Sequence, residues 1–244
     1  VNSVLTALRV FEAVAASQPV GVSELARGLD IPKSTVQRCL RTLQRAGWVR
    51  ADPADSSWSI TGRAFTIGSA VASTDHLREA ALPELAALQA EVGETIHLAV
   101  PDGDELVLVE RLDSPHQLRA FLALGTRLPL HAAATGKAYL ATLPDREITS
   151  YLATGPVKVT ERTQTDPAAL RAEIELIRKR GYATTEQGLH EGISAVAVAL
   201  RDRSGTARAC FSISGPSSRV TPDLFEAYAA KAHGTRDAIE RMLR

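Results

Sequence analysis

Cysteine is scarce in this 244-residue chain: Cys39 and Cys210 stand far apart with no further Cys or His at ligand spacing, which argues against a disulfide framework and a zinc site. Both read as small buried apolar residues. The six histidines, His76, His97, His116, His131, His190 and His233, show no close pairing, so no metal centre is expected, and His131 is the one to watch. No stretch approaches the ~18 consecutive apolar residues that span a bilayer. The first residues lack the basic-then-apolar order of a secretory leader, so the expectation is a cytoplasmic protein with no membrane contact. Catalytic motifs are missing too. There is no Gly-x-Ser-x-Gly elbow, and Ala134-Thr135-Gly136-Lys137-Ala138 only imitates a phosphate loop, because His131 occupies the first glycine position and Ala138 replaces the magnesium-binding Ser/Thr. Aromatics are few (five Phe, two Trp, four Tyr), yet 45% of residues are hydrophobic, so aliphatic cores are available and disorder is excluded. The length suits two domains.

A net charge of zero hides an asymmetry. Residues 1–62 carry seven Lys/Arg (Arg9, Arg27, Lys33, Arg38, Arg41, Arg45, Arg50) against five acids, and the remainder 21 against 23. One basic end on a slightly acidic body fits a chain in which only the first domain meets phosphate.

In that first part, Val4, Leu8, Phe11 and Ala15 recur at helical spacing and predict an amphipathic helix packed by that stripe, ending near Ser17-Gln18-Pro19. Ser23 is a candidate N-cap for a short second helix whose face is Val22, Leu25, Ala26 and Leu29. Asp30-Ile31-Pro32 breaks the pattern and opens a third helix. There Val36, Leu40 and Leu43 form the buried stripe and Lys33, Ser34, Thr35, Gln37, Arg38 and Arg41 face solvent, with Gly47 as the stop. Two short helices across a tight turn, the second bearing hydroxyl, amide and guanidinium groups at its start, match a helix-turn-helix. Arg and Lys donate to guanine and Gln to adenine, and Ser34 and Thr35 suit a backbone phosphate. Trp48-Val49-Arg50 and Trp58-Ser59-Ile60 flank a turn-rich loop and predict a hairpin wing, with Arg50 placed to touch the DNA backbone and the tryptophans placed for packing. The competing reading is a solvated face on a small bundle.

From Gly62 to Gly93 the pattern is helical, with Phe65, Ile67 and Val71, then Leu77, Leu82, Leu85 and Leu88, interrupted by Pro83. Glu94–Val100 and Glu105–Glu110 around Pro101-Asp102-Gly103-Asp104 predict a hairpin, with a third strand over Leu118–Leu124. Helices are expected over 134–142 and 167–180, strands near Tyr182, over 194–200 and 207–213, and a closing helix from Pro222. Strands, inserted helices and strands again make an α+β domain.

The residues Ser23-Glu24-Leu25-Ala26, Ile31-Pro32-Lys33-Ser34-Thr35-Val36, Arg38-Cys39-Leu40, Leu43 and Gly47-Trp48-Val49 together resemble the DNA-binding domain of the IclR family of bacterial regulators. The family usually has Gly where this chain has Asp30, a residue that tolerates left-handed geometry. The second half resembles the family's GAF-like effector domain through Leu128-Pro129-Leu130-His131, Gly136-Lys137-Ala138, Gly181-Tyr182-Ala183, Gly192-Ile193 and Ser212-Ile213-Ser214-Gly215-Pro216. The resemblance implies a winged helix-turn-helix over residues 1–62, connector helices over 63–92 and a GAF-like effector domain over 93–244. It implies DNA contacts from Ser23, Lys33, Ser34, Thr35, Gln37, Arg38, Arg41 and Arg50. It also implies an effector pocket at Ala120, Leu128, Ala134, Thr135, Thr185, Ile193, Ala195, Ser212 and Ser214. Where the family often has acids this chain has Thr185-Glu186-Gln187-Gly188, and where Cys is common it has Ala195. Both changes remove a polar handle, and Ala120, Ala134 and Ala195 together leave volume for a ligand larger than a two- or three-carbon keto acid, such as an aromatic acid. The alternative is that these alanines are ordinary core. The expectation is a repressor that binds a double-stranded DNA operator as a homodimer or tetramer, with a small organic acid-like effector, no cofactor and no catalysis. Its rivals are a DNA-tethered enzyme acting on a small metabolite and a ligand-independent architectural protein.

Overall fold

The computed structural model describes residues 2–72 and 76–243. The chain divides into two compact units, Val1–Asp75 and His76–Arg244.

The first unit runs α1 (Asn2–Ser17), α2 (Val22–Leu29), α3 (Lys33–Arg45), β1 (Val49–Ala51), β2 (Trp58–Ile60) and α4 (Gly62–Ala72). Its core joins Val10 and Val14 of α1, Leu25 of α2, Val36 and Leu40 of α3, Val49 and Trp58. The buried face of α1 therefore differs from the expected stripe. Val4 and Leu8 are exposed (62% and 49%), while Val10 and Val14 are sealed and Phe11 packs beside them. Helix one is apolar over a wide arc, so spacing alone admits two stripes, and packing against α3 selects one. Ser23 is not the N-cap of α2. Gly21 holds that position and Ser23 lies inside the first turn, with no side-chain cap bond made. Asp30 adopts the left-handed conformation (φ 53°, ψ 50°) that closes α2, and its own and the following amide return to Arg27 and Ala26 carbonyls. Gly47 (φ 79°) does the same after α3, with the Trp48 amide bonded to the Leu43 carbonyl. The wing pairs Val49 with Ile60 and Ala51 with Trp58. Both tryptophans pack: Trp48 stands edge-on to Phe11 at 5.3 Å, and Trp58 is buried.

The second unit opens with α5 (His76–Val92). The expected connector crosses residues 73–75, which lie outside the described residues, as do the side chains of Val71 and His76. Pro83 does not interrupt α5. Its ring lies on the exposed side, while Leu77, Ala81, Leu85 and Leu88 are buried. An interior proline costs about 3 kcal/mol, and burial of each leucine returns roughly 1.5–3 kcal/mol.

Next come β3 (Thr95–Asp102), β4 (Glu105–Leu112), β5 (Arg127–Pro129), α6 (Ala134–Leu140), α7 (Asp145–Ala153), α8 (Pro167–Arg180), β6 (Ala183–Glu186), β7 (Ile193–Arg201), β8 (Ala207–Pro216) and, after a short 3-10 turn at Pro222–Leu224, α9 (Phe225–Met242). The six strands form one antiparallel sheet, ordered β5-β4-β3-β8-β7-β6. Helices α6, α7 and α8 contribute to the core on one face, α5 and α9 to that on the other. Leu118–Leu124 is not the third strand; Arg127–Pro129 is. Side chains claim the carbonyls of that segment instead: Thr95 Oγ1 donates to Ala120 O (3.0 Å), Arg219 to Leu118 O (2.9 Å) and Arg111 to Leu122 O. It lies over the sheet as a strap. Helix α7, for which no element was expected, buries Ile148, Tyr151 and Leu152.

The central strands alternate in size as well as direction. On β7 and β8, Val196, Val198, Leu200, Phe211 and Ile213 pack toward α5 or α9, whereas Ala195, Ala197, Cys210, Ser212 and Ser214 face the strap and α6. Large residues fill one side and small ones leave room on the other.

Candidate DNA interface and effector cavity

In the first unit, Lys33, Ser34, Gln37, Arg38 and Arg41 are exposed on α3 and Thr35 is half-buried; Ser23 on α2 and Arg50 on the wing are exposed too. Gln44 and Arg45 extend the same polar face by another turn, which the sequence reading left out. Among the described residues none of Lys33, Arg38, Arg41, Arg45 and Arg50 forms an ion pair. Their charges stand ready for an external anion. A face carrying cations, an amide and hydroxyls on the second helix of a helix-turn-helix is suited to donate to phosphates and base edges.

In the second unit the small faces of β7 and β8 open a cavity of about 260 Å³. The nine positions carried over by resemblance all line it. Ile193, Ala195, Ser212 and Ser214 come from the sheet with Thr185 of β6; Leu128 comes from β5, Ala134 and Thr135 from α6, and Ala120 from the strap. Sequence reading missed His97, Ala133, Leu189, His190 and the strap residues Arg119, Phe121 and Leu122. For His97 a signal existed: in β3 it shares a face with Thr95 and Ala99, at the level of Ser212 and Ala197 across the sheet.

Strap and sheet are tied electrostatically. Arg111 lies 4.0 Å from the Phe121 ring centre and pairs with Asp113 (2.8 Å) while bonding the Leu122 carbonyl. Arg219, which holds Leu118, makes a two-pronged ion pair with the buried Glu94. On the cavity floor, His97 Nδ1 lies 3.3 Å from Ser214 Oγ, and Ser214 Oγ lies 2.9 Å from Ser212 Oγ. His97 Nε2 is buried with no hydrogen-bond partner among the described residues. Burial above all, then the Arg111 charge, depresses the His97 pKa to about 4, so the ring is neutral at pH 7. Thr185 is already spent, its hydroxyl donating to the Ala132 carbonyl (3.1 Å). Among the described residues no Asp or Glu lines the cavity.

His131 has a structural task. Its Nδ1 lies 2.7 Å from the Tyr151 hydroxyl and its Nε2 2.8 Å from the Val157 carbonyl, so Nε2 carries the proton and Tyr151 donates to Nδ1. Among the described residues no group of three or more His, Cys, Asp and Glu is placed to hold a metal ion, and no helix is long and apolar enough to cross a membrane.

A helix-turn-helix with unpaired cations and a separate sensor-like unit enclosing a small cavity define a ligand-responsive DNA-binding regulator. The comparisons agree with this class. The model of the IclR helix-turn-helix domain matches residues 3–53, and that of the bacterial transcriptional regulator IclR C-terminal domain matches residues 69–241. The chain is similar to the transcriptional repressor IclR of Escherichia coli K12 (33% identical, covering 94% of this chain and 85% of that protein). It is also similar to the repressor AllR of the same strain (37% identical, covering 84% of this chain and 76% of that protein). In fold it resembles an IclR homologue from Microbacterium hydrocarbonoxydans solved in complex with 4-hydroxybenzoate (24% identical, TM-score 0.84, covering 99% of both chains). The chain belongs to the IclR family of transcriptional regulators.

Proposed function

We propose that this regulator is a repressor that binds its DNA operator as a homodimer, or as a tetramer, through Ser23, Lys33, Ser34, Thr35, Gln37, Arg38, Arg41 and Arg50, and that an aromatic acid in the cavity changes its operator affinity. The observation that carries the reading is the cavity itself, cut from the sheet by small side chains and placed in a chain that also presents an unpaired cationic recognition helix. A cavity of about 150 Å³ holds benzene, so 260 Å³ accommodates an aromatic ring with polar substituents at both ends. Apolar walls with a few hydroxyls and no acid suit an uncharged ring bearing an acid group. The nine carried-over positions are its binding residues in this reading. Exposed Val4, Leu5 and Leu8 on α1 and Phe65 and Ile67 on α4 supply the apolar surface that a second copy covers. Effector binding acts by linkage, favouring one arrangement of the recognition helices over another, with half-sites one helical turn or a multiple apart. The protein works in the cytoplasm, without cofactor and without catalysis.

The test is fluorescence anisotropy on the gene's own upstream DNA at several salt concentrations, with aliphatic and aromatic acids. Salt-sensitive, sequence-preferring binding shifted by an aromatic acid supports the reading. Replacing Lys33, Arg38 or Arg41 by Ala should then reduce the log-log salt slope by about one wherever the side chain neutralises a phosphate. Specific binding that no acid shifts would favour an architectural protein. Chemical conversion of a bound acid would favour a tethered enzyme.

A further inference from the structure

A histidine on the floor of the cavity, His97, has a buried hydrogen-bonding atom left unused. His97 sits on β3, the strand paired with both β4 and β8, and is 3% exposed. Its Nδ1 is engaged by Ser214, which is engaged in turn by Ser212, so the protein spends these hydroxyls on one another. Nε2 has no partner among the described residues, in a cavity whose other walls are mainly apolar. A buried polar atom left in this state is costly, and a ligand that supplies the missing partner recovers that cost.

We propose that His97 Nε2 accepts a hydrogen bond from a hydroxyl of the effector, making this regulator selective for hydroxylated aromatic acids over the unsubstituted acid. The proposal rests on the aromatic-acid reading above. A hydroxyl fits this position better than a carboxylate. A buried carboxylate needs several donors or a cation, whereas Nε2 offers a single contact and, as an acceptor, none to an anion; Arg111 is occupied by Asp113, the Leu122 carbonyl and the Phe121 ring, and Arg119, which lines the cavity from the strap, is the cation that suits the acid group. A phenol is a strong donor and a neutral imidazole nitrogen a strong acceptor. In the required tautomer Nδ1–H donates to Ser214, whose hydroxyl rotates to donate to Ser212. Burial supports the arrangement by keeping the imidazole neutral at pH 7.

The experiment is titration calorimetry of the full-length protein with benzoate, 4-hydroxybenzoate and 4-methoxybenzoate. The expected order is 4-hydroxybenzoate tighter than benzoate by roughly ten- to hundredfold, with 4-methoxybenzoate, which cannot donate, losing that advantage. In His97→Leu the ratio between 4-hydroxybenzoate and benzoate should collapse toward one. Equal affinities for benzoate and 4-hydroxybenzoate in the unmodified protein overturn the hydroxyl assignment while leaving the aromatic-acid reading intact. Retention of the full advantage by 4-methoxybenzoate or by His97→Leu also overturns it. Failure of all three to bind refutes the aromatic-acid reading, and this inference with it. The ligand series on the unmodified protein decides the matter even if His97→Leu folds poorly.

Discussion

Acidification should destabilise the second unit through His97, by an amount the structure allows to be worked out. Burial and the Arg111 guanidinium lower the pKa from the ordinary 6.5 to about 4, with Asp113 opposing and His190 adding to the depression. The unfolded chain therefore takes up the proton first as pH falls. The stability associated with neutral His97 is fully present above pH 6.5 and is lost progressively as pH falls toward and through 4. The gap is worth roughly 3 kcal/mol when complete, of which about 2 kcal/mol is gone by about pH 5. The assay is urea unfolding from about pH 7.5 to 4.5, comparing the unmodified protein with His97→Leu, so that losses from other groups cancel in the difference. The probe has to be chosen with care. Trp48 and Trp58 lie in the first unit, while Tyr139, Tyr151, Tyr182 and Tyr228 lie in the second, so tyrosine near-UV dichroism reports the relevant unit and tryptophan fluorescence does not. Parallel stability curves for the two proteins would refute the reasoning, because a histidine buried neutral cannot be insensitive to protons.

Gly136→Ala reverses the usual helix rule. Alanine normally gains about 1 kcal/mol over glycine within a helix, but a Cβ here would lie 2.5 Å from Leu130 Cα and 2.6 Å from its carbonyl oxygen. The net effect should be a loss of about 1–3 kcal/mol in urea unfolding, and a gain in stability would show that α6 is free to move. Ala195→Leu pushes three more carbons into the cavity, so the anisotropy midpoint on operator DNA should no longer respond to an aromatic acid; an undiminished response would place the effector elsewhere. Asp30→Ala should cost about 1–2 kcal/mol, because alanine pays the left-handed penalty that glycine escapes, whereas Asp30→Gly should cost nothing; tryptophan fluorescence follows both, and equal losses would sink the account of the turn.

Local chemistry made much of this protein readable from its sequence. Asp30 closing α2, Pro32 opening α3 and Gly47 closing it, and Gly103-Asp104 turning a hairpin are decided by backbone geometry within a few residues, and the structure places them as read. The alternation of small and large residues along Ile193–Arg201 and Ala207–Pro216 also lies open in the sequence, since a strand's period of two assigns each residue to a face. What the sequence could not decide depended on partners far along the chain. Which arc of α1 is buried was settled by packing against α3, and Pro83 stays helical because buried leucines hold α5 on the sheet. Leu118–Leu124 has an apolar pattern that fits a strand, but Thr95, Arg111 and Arg219 take its carbonyls from three directions and make it a strap. His97 looked like one histidine among six; only the sheet register, which sets it beside Ser212 and Ser214 and leaves Nε2 buried without a partner among the described residues, gave it a chemical role. Burial and pairing are properties of the assembled sheet, and no window of neighbouring residues contains them.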